Sequence, residues 1–139
     1  MTDLVLDASV ALSWCFKNEA TAAGDRVLER LTAEAAGVPA IWHLEIANAL
    51  ALSERRRRIT PAHSTEFIGL LETLAIIVDE ETPSRALNRV LDLARAERLT
   101  AYDAAYLELA MRLGVPLASK DADLCDAAER LGVNVLRAA

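Results

Sequence analysis

Four carboxylates in this 139-residue chain, Asp7, Glu45, Asp103 and Asp121, each stand where an apolar stretch could hold them rigidly at the edge of a core. Acids placed this way either lie scattered over a surface or converge on a cation. Convergence alone is unfavourable, because two unit charges about 4 Å apart repel by on the order of 4 kcal/mol at an effective dielectric near 20. A divalent cation removes that repulsion. Oxygen donors with no histidine or cysteine among them select hard ions such as Mg²⁺ or Mn²⁺, which prefer six oxygens and keep several waters. Such a site can activate water and stabilise charge on a phosphoryl oxygen during in-line displacement.

The elements that must position these acids are readable in outline. Leu4 to Leu6 form a short apolar run, the pattern of a strand buried on both faces, and Asp7 closes it. Ser9 is expected to cap a helix that begins at Val10, and a further helix is predicted from Thr21 to Glu34. Gly37 is expected just past that helix, leading into a second strand over Val38 to Ile41. The same order of helix, glycine, valine and strand returns at Gly114, before Pro116 to Ala118, and at Gly132, before Asn134 to Leu136. With Ile76 to Val78, five short strands result.

Helices are predicted over Trp42 to Arg57, with Leu44, Ala47, Leu50 and Ala51 inward, and from Thr60-Pro61 to about Leu74. Thr82-Pro83 repeats the cap signal for a helix ending near Glu97. Two more helices cover Tyr102 to Leu113 and Asp121 to Leu131. Strands alternating with helices define an α/β fold in one domain over residues 1–139, a short central parallel sheet of about five strands with helices on both faces. In such sheets ligands bind beyond the carboxyl ends of the strands, near the topological switch point. Asp7 and Asp121 both fall on that edge.

Local spacing leaves the choice between scatter and convergence open. Asp7 and Asp121 could simply cap helices, and Ser9 and Ser119 suit caps as well as a site. Glu45 and Asn48 share a helix face that is otherwise apolar, and Asp103 shares one with Tyr106, whose ordinary role is core packing. Acids on apolar faces need a partner.

The motifs that carry these residues are Leu6-Asp7-Ala8-Ser9, Glu45-Ile46-Ala47-Asn48, Tyr102-Asp103-Ala104-Ala105-Tyr106 and Ala118-Ser119-Lys120-Asp121. In that order and spacing, over almost the whole chain, they resemble the motifs of PIN-domain ribonucleases, in particular the VapC-type toxins of toxin–antitoxin pairs. The resemblance implies a PIN-like α/β fold, Mg²⁺- or Mn²⁺-dependent cleavage of RNA, a homodimer and a VapB-type antitoxin partner. It makes Asp7, Glu45, Asp103 and Asp121 the metal-binding catalytic acids, with Ser9, Asn48 and Ser119 in support. Ser119 departs from the family's usual threonine but keeps the hydroxyl. A PIN nuclease of RNA processing without an antitoxin, and a non-catalytic binding module on the same fold, are the alternatives.

Composition limits the field further. Hydrophobic residues make up 53% and no low-complexity run occurs, so order is expected nearly throughout. No apolar stretch approaches the roughly 18 residues of a membrane span, and Asp3 and Asp7 interrupt the N-terminus where a signal peptide needs basic then apolar residues. A cytoplasmic protein without membrane contact is the expectation. Cys15 and Cys125 are far apart and form no C-x-x-C pair, which argues for free thiols.

The net charge of −6 argues against a nucleic-acid partner, but setting aside four ligand carboxylates leaves only −2. Arg55, Arg56, Arg57 and Arg58 form the one strong basic run. It is either a solvated helix end whose cations suit the dipole or a contact to an RNA phosphate backbone. Trp14 and Phe16 are expected in the core, with an apolar groove for the antitoxin as the other reading, and His63 is expected in solvent. The His43-Leu44-Glu45 echo of zinc deaminases lacks its cysteine partner, and no G-x-S-x-G, Walker A or G-x-G-x-x-G stretch is present. Without a histidine pair to activate the RNA 2′-hydroxyl, cleavage should leave 5′-phosphate and 3′-hydroxyl ends.

Overall fold

The computed structural model describes residues 1–139. Five strands, β1 (Leu4–Leu6), β2 (Ala35–Val38), β3 (Ala75–Val78), β4 (Leu117–Ser119) and β5 (Val135–Arg137), pair in parallel in the order β3-β2-β1-β4-β5. The chain therefore builds outward from β1 in one direction, returns, and builds outward from β4 in the other. Because crossovers between parallel strands are right-handed, reversing direction puts the later helices on the opposite face. The early face carries α1 (Ala8–Ser13), α2 (Ala22–Arg30), α3 (Trp42–Arg55) and α4 (Pro61–Glu72). The other carries α5 (Thr82–Arg85), α6 (Leu91–Glu97), α7 (Ala101–Leu113) and α8 (Ala122–Arg130).

The sheet centre is the core. Leu4, Val5 and Leu6 are wholly buried, as are Leu117 and Ala118 beside them, which is why these strands read as continuous apolar runs. Helix α7 is buried from Ala104 through Ala110. On α3 the inward stripe is Trp42, Ile46 and Leu50, spaced four apart, and not the expected Leu44, Ala47 and Ala51, which are exposed. That helix is apolar on too many sides for its period to choose a face. No helix is long and apolar enough to cross a membrane.

Glycine explains two helix ends and not a third. Gly114 and Gly132 take φ of 66° and 79°, the left-handed conformation expected just past a helix. Gly37 instead lies inside β2, opposite Val5 and Ile77, and a Cβ there would stand 2.7 Å from Thr2 Cγ2. Close approach of the N-terminus requires it. Strand β2 accordingly begins earlier than Val38 and ends there.

Two expected caps also differ. Thr60 caps α4, its Oγ1 accepting from the His63 N–H at 3.1 Å, but the Thr82 hydroxyl donates to Asp79 Oδ2 at 2.7 Å and Glu81 occupies the cap position. The helix expected from there to Glu97 is split by a wider turn over Ala86–Val90 and ends on a left-handed Arg98. Ser9 is no cap either, since α1 already starts at Ala8.

Candidate active site

Strand β1 delivers Asp7 to the carboxyl edge of the sheet beside the end of β4, where the strand order reverses. Its carboxylate is 5% exposed. Ser9 and Ser119 each donate a hydroxyl to the same oxygen, Asp7 Oδ2, at 2.7 Å. Each hydroxyl also accepts a backbone N–H, Ser9 from Lys120 at 3.1 Å and Ser119 from Asp121 at 3.0 Å. The two serines thereby fasten the β4–α8 connection to the end of β1. Asp121 caps α8, its Oδ1 accepting from the Leu124 N–H at 2.8 Å, and is exposed.

Glu45, in the first turn of α3, accepts a 2.5 Å hydrogen bond at Oε1 from the Tyr106 hydroxyl of α7. Tyr106 is fully buried, so it is a core aromatic that also spans the two helices to orient an acid. Burial, then its bond to Glu45, pushes its hydroxyl far above the ordinary range, which keeps it a donor. Asp103 is half-buried in the first turn of α7, where Thr100 Oγ1 caps the helix by accepting the Asp103 N–H at 3.1 Å.

Electrostatics ties the four acids together. Burial pushes the Asp103 carboxyl up to about 6, and the charges of Asp121, Asp7 and Glu45 each add to the rise. Burial raises Asp7 against the pull of its serine donors, with Asp121 adding to it, and raises Glu45 against Tyr106, with Asp7 adding to it. None of the four forms an ion pair with a lysine or arginine. The carboxylates share one field and have no cation of the protein's own to settle it.

They do not form a ready cage, since no three His, Cys, Asp or Glu side chains are gathered closely enough to hold an ion directly. The donor set nevertheless fits a hard divalent ion, which Mg²⁺ exemplifies by taking one or two carboxylates and keeping several waters. Asp79 offers the contrast. It also follows a strand, but Arg112 holds both its oxygens, at 3.0 and 2.8 Å, and its carboxyl lies at about 2.

Other candidates fall outside this group. Asn48 is exposed one turn beyond Glu45. Arg55 lies ten residues from Glu45 on α3, about 15 Å along the axis at 1.5 Å per residue, so the Arg55–Arg58 corner is separate from the acids. Phe16 is buried and Trp14 half-buried with its Nε1 donating to the Gly24 carbonyl at 3.0 Å. His63 is half-buried rather than solvated, because its Nε2 bonds the Cys15 carbonyl at 2.7 Å. Both cysteines are free and buried. Lys120 carries no sequence signal beyond its place between Ser119 and Asp121.

The five-stranded parallel sheet with helices on both faces is a PIN-like fold, and a sequence model of the PIN domain matches residues 4–130. The chain belongs to the PIN-domain family, whose members are in general nucleases. Among solved structures it is similar to PAE2754 from Pyrobaculum aerophilum, at 23% identity and a TM-score of 0.71 over 97% of this chain and 84% of that one. It is also similar to FitAcB from Neisseria gonorrhoeae, at 18% identity and a TM-score of 0.65 over 95% of each chain. At such identities the likeness is one of fold. No curated protein matches the sequence.

Proposed function

We propose that this chain, as a single PIN domain, is a metal-dependent endoribonuclease and the toxin of a VapBC-type pair, acting as a homodimer and restrained by a VapB-type antitoxin. The observation that carries the nuclease reading is the placement of Asp7 at the carboxyl edge of the sheet where the strand order reverses, gripped by Ser9 and Ser119, with Glu45 oriented by Tyr106 and no lysine or arginine paired to either acid. The toxin assignment rests on the four ordered motifs around Asp7, Glu45, Asp103 and Asp121. Those four acids would hold Mg²⁺ or Mn²⁺, which when bound supplies positive charge at the scissile phosphate and lowers the barrier to attack by water.

The chain's own residues prepare the site. Ser9 and Ser119 fix one oxygen of Asp7, and Tyr106 fixes one oxygen of Glu45, so each leaves its other oxygen for a ligand. Asp121 is anchored by its own cap bond. RNA cleavage by wild type and Asp103→Asn, with and without Mg²⁺, tests the reading. Cleavage by the wild type with Mg²⁺ only, leaving 5′-phosphate and 3′-hydroxyl ends, is expected. Products with 2′,3′-cyclic phosphates, or an Asp103→Asn protein that cleaves normally, would overturn it.

A further inference from the structure

A line of contacts leads from the acidic site across the surface. Lys120, next in sequence to Asp121, donates from Nζ to the Glu19 carbonyl at 2.8 Å. The Glu19 carboxylate faces Arg58 at the long separation of 3.8 Å, and Arg58 lies over the Phe16 ring, 5.1 Å from its centroid. Between the short turn Lys17–Glu19 and the α3–α4 corner runs an open groove of about 530 Å³ whose lining includes Lys17, Asn18, Arg58, Thr60 and His63. Beyond it stand Arg55, Arg56 and Arg57, all exposed.

The cations on this line differ from most arginines elsewhere. Arg30, Arg85, Arg112, Arg130 and Arg137 each hold a carboxylate at 3.2 Å or less. Arg55, Arg56, Arg57 and Lys17 hold none, and Arg58 has only its distant contact with Glu19. In a chain of net charge −6 their neighbourhood is a local reversal of sign.

We propose that the groove and the arginine corner form a phosphate track for single-stranded RNA, gripping the strand to one side of the bond cut at the acids. This rests on the nuclease reading above. A polyanion is recognised by cations spaced along a line, which is what the track offers. A protein segment needs apolar anchors in pockets, and the track presents Phe16 buried and Ile59 half-buried. With no exposed aromatic ring for base stacking, the track grips backbone and carries little sequence choice. Glu19 is the one carboxylate that faces Arg58, and an RNA phosphate there would take its place, while Glu54 beside Arg55 accepts from the Ser64 hydroxyl.

The test uses the wild-type chain in chelator, so that RNA stays intact, with a uridine trinucleotide and a uridine dodecanucleotide titrated at several salt concentrations. The dodecanucleotide is expected to bind more tightly. Lys17→Ala with Arg58→Gln should flatten its salt slope by about 1.4, about 0.7 for each lost phosphate contact, and leave the trinucleotide unaffected. Glu19→Gln should tighten dodecanucleotide binding. Should Arg58→Gln disturb folding through Phe16, Lys17→Ala alone, at an exposed side chain, should flatten the slope by about 0.7.

An unchanged slope, or weaker binding by Glu19→Gln, overturns the track. So does tight binding of hexaglutamate where the dodecanucleotide fails, which would mark the corner as a site for an acidic protein segment. Cleavage assayed in parallel with Mg²⁺ separates the two readings: intact cleavage with unchanged slopes sinks the track alone, whereas absent cleavage sinks the nuclease reading.

Discussion

At the scale of single residues the site depends on hydroxyls that do two jobs. Ser119 gives its proton to Asp7 and receives the N–H of Asp121, so one buried side chain fixes two of the four acids. Ser119→Ala should lower stability by about 1 to 3 kcal/mol, because it strips a donor from the buried Asp7 carboxylate and takes the acceptor from the Asp121 N–H. Cleavage should fall with it. Ser119→Thr keeps the hydroxyl and should retain both properties, and urea unfolding with a cleavage assay decides the matter; a fully stable Ala variant would refute the role. Type and spacing pick out the four acids and Ser119 but leave their convergence open, and it is the ordered motifs that favour a shared site. Ser9 and Ser119 each suit a cap as well as a site and the motifs put both in support; the start of α1 at Ala8 removes the cap reading for Ser9.

At the scale of elements, α7 carries both Asp103 and Tyr106 and must be held at its far end. Arg112 does this, bonding Asp79 at the end of β3 and Glu108 one turn back on α7, with all three side chains at or below 13% exposure. Losing charge-assisted hydrogen bonds in a largely shielded pair is costly, so Arg112→Ala should destabilise by about 1.5 to 3 kcal/mol.

The same cluster sets an acid limit. Asp79 sits at about 2, held down chiefly by Arg112, below the 3.8 of an unperturbed aspartate. Its stabilisation is complete above that ordinary value and is lost as pH falls through about 2. Wild type should therefore lose stability to acid over this range, and Arg112→Ala, already without the contact, should lose less there by denaturant titration. Nothing in the sequence marked this pair. Thirty-three residues separate Asp79 from Arg112, and only the register of β3 against β2 brings the strand end to α7.

For the whole molecule, the strand order matters most. Periodicity gave five strands and their helices, but not that β1 and β4 are neighbours with the chain reversing direction between them. That adjacency is what unites Asp7 with Ser119 and Asp121. The metal-free fold then works against its own site. Asp103, raised to about 6, binds its proton more tightly when folded, so its contribution to stability declines as pH rises from about 4 through 6. The sign is opposite to that of Asp79.

Allowing for its half exposure and for solvent screening, the loss is about 1 kcal/mol. Asp103→Asn should remove it and melt higher than wild type at neutral pH in chelator. Mg²⁺ at about a hundred times its dissociation constant should raise wild-type stability by about 2.7 kcal/mol, read as a shift in Tm. A Tm indifferent to Mg²⁺ would count against an ion site among these acids.

The arginine corner holds one further consequence, in its backbone. Arg57 has φ of 57°, in the left-handed region where a side chain costs about 1 kcal/mol relative to glycine. Arg57→Gly should therefore yield a more heat-resistant protein that has one cation fewer at the corner. Folding and electrostatics ask for different residues at this position. A search for thermostable variants would select the glycine, and a search for RNA-binding variants would select the arginine.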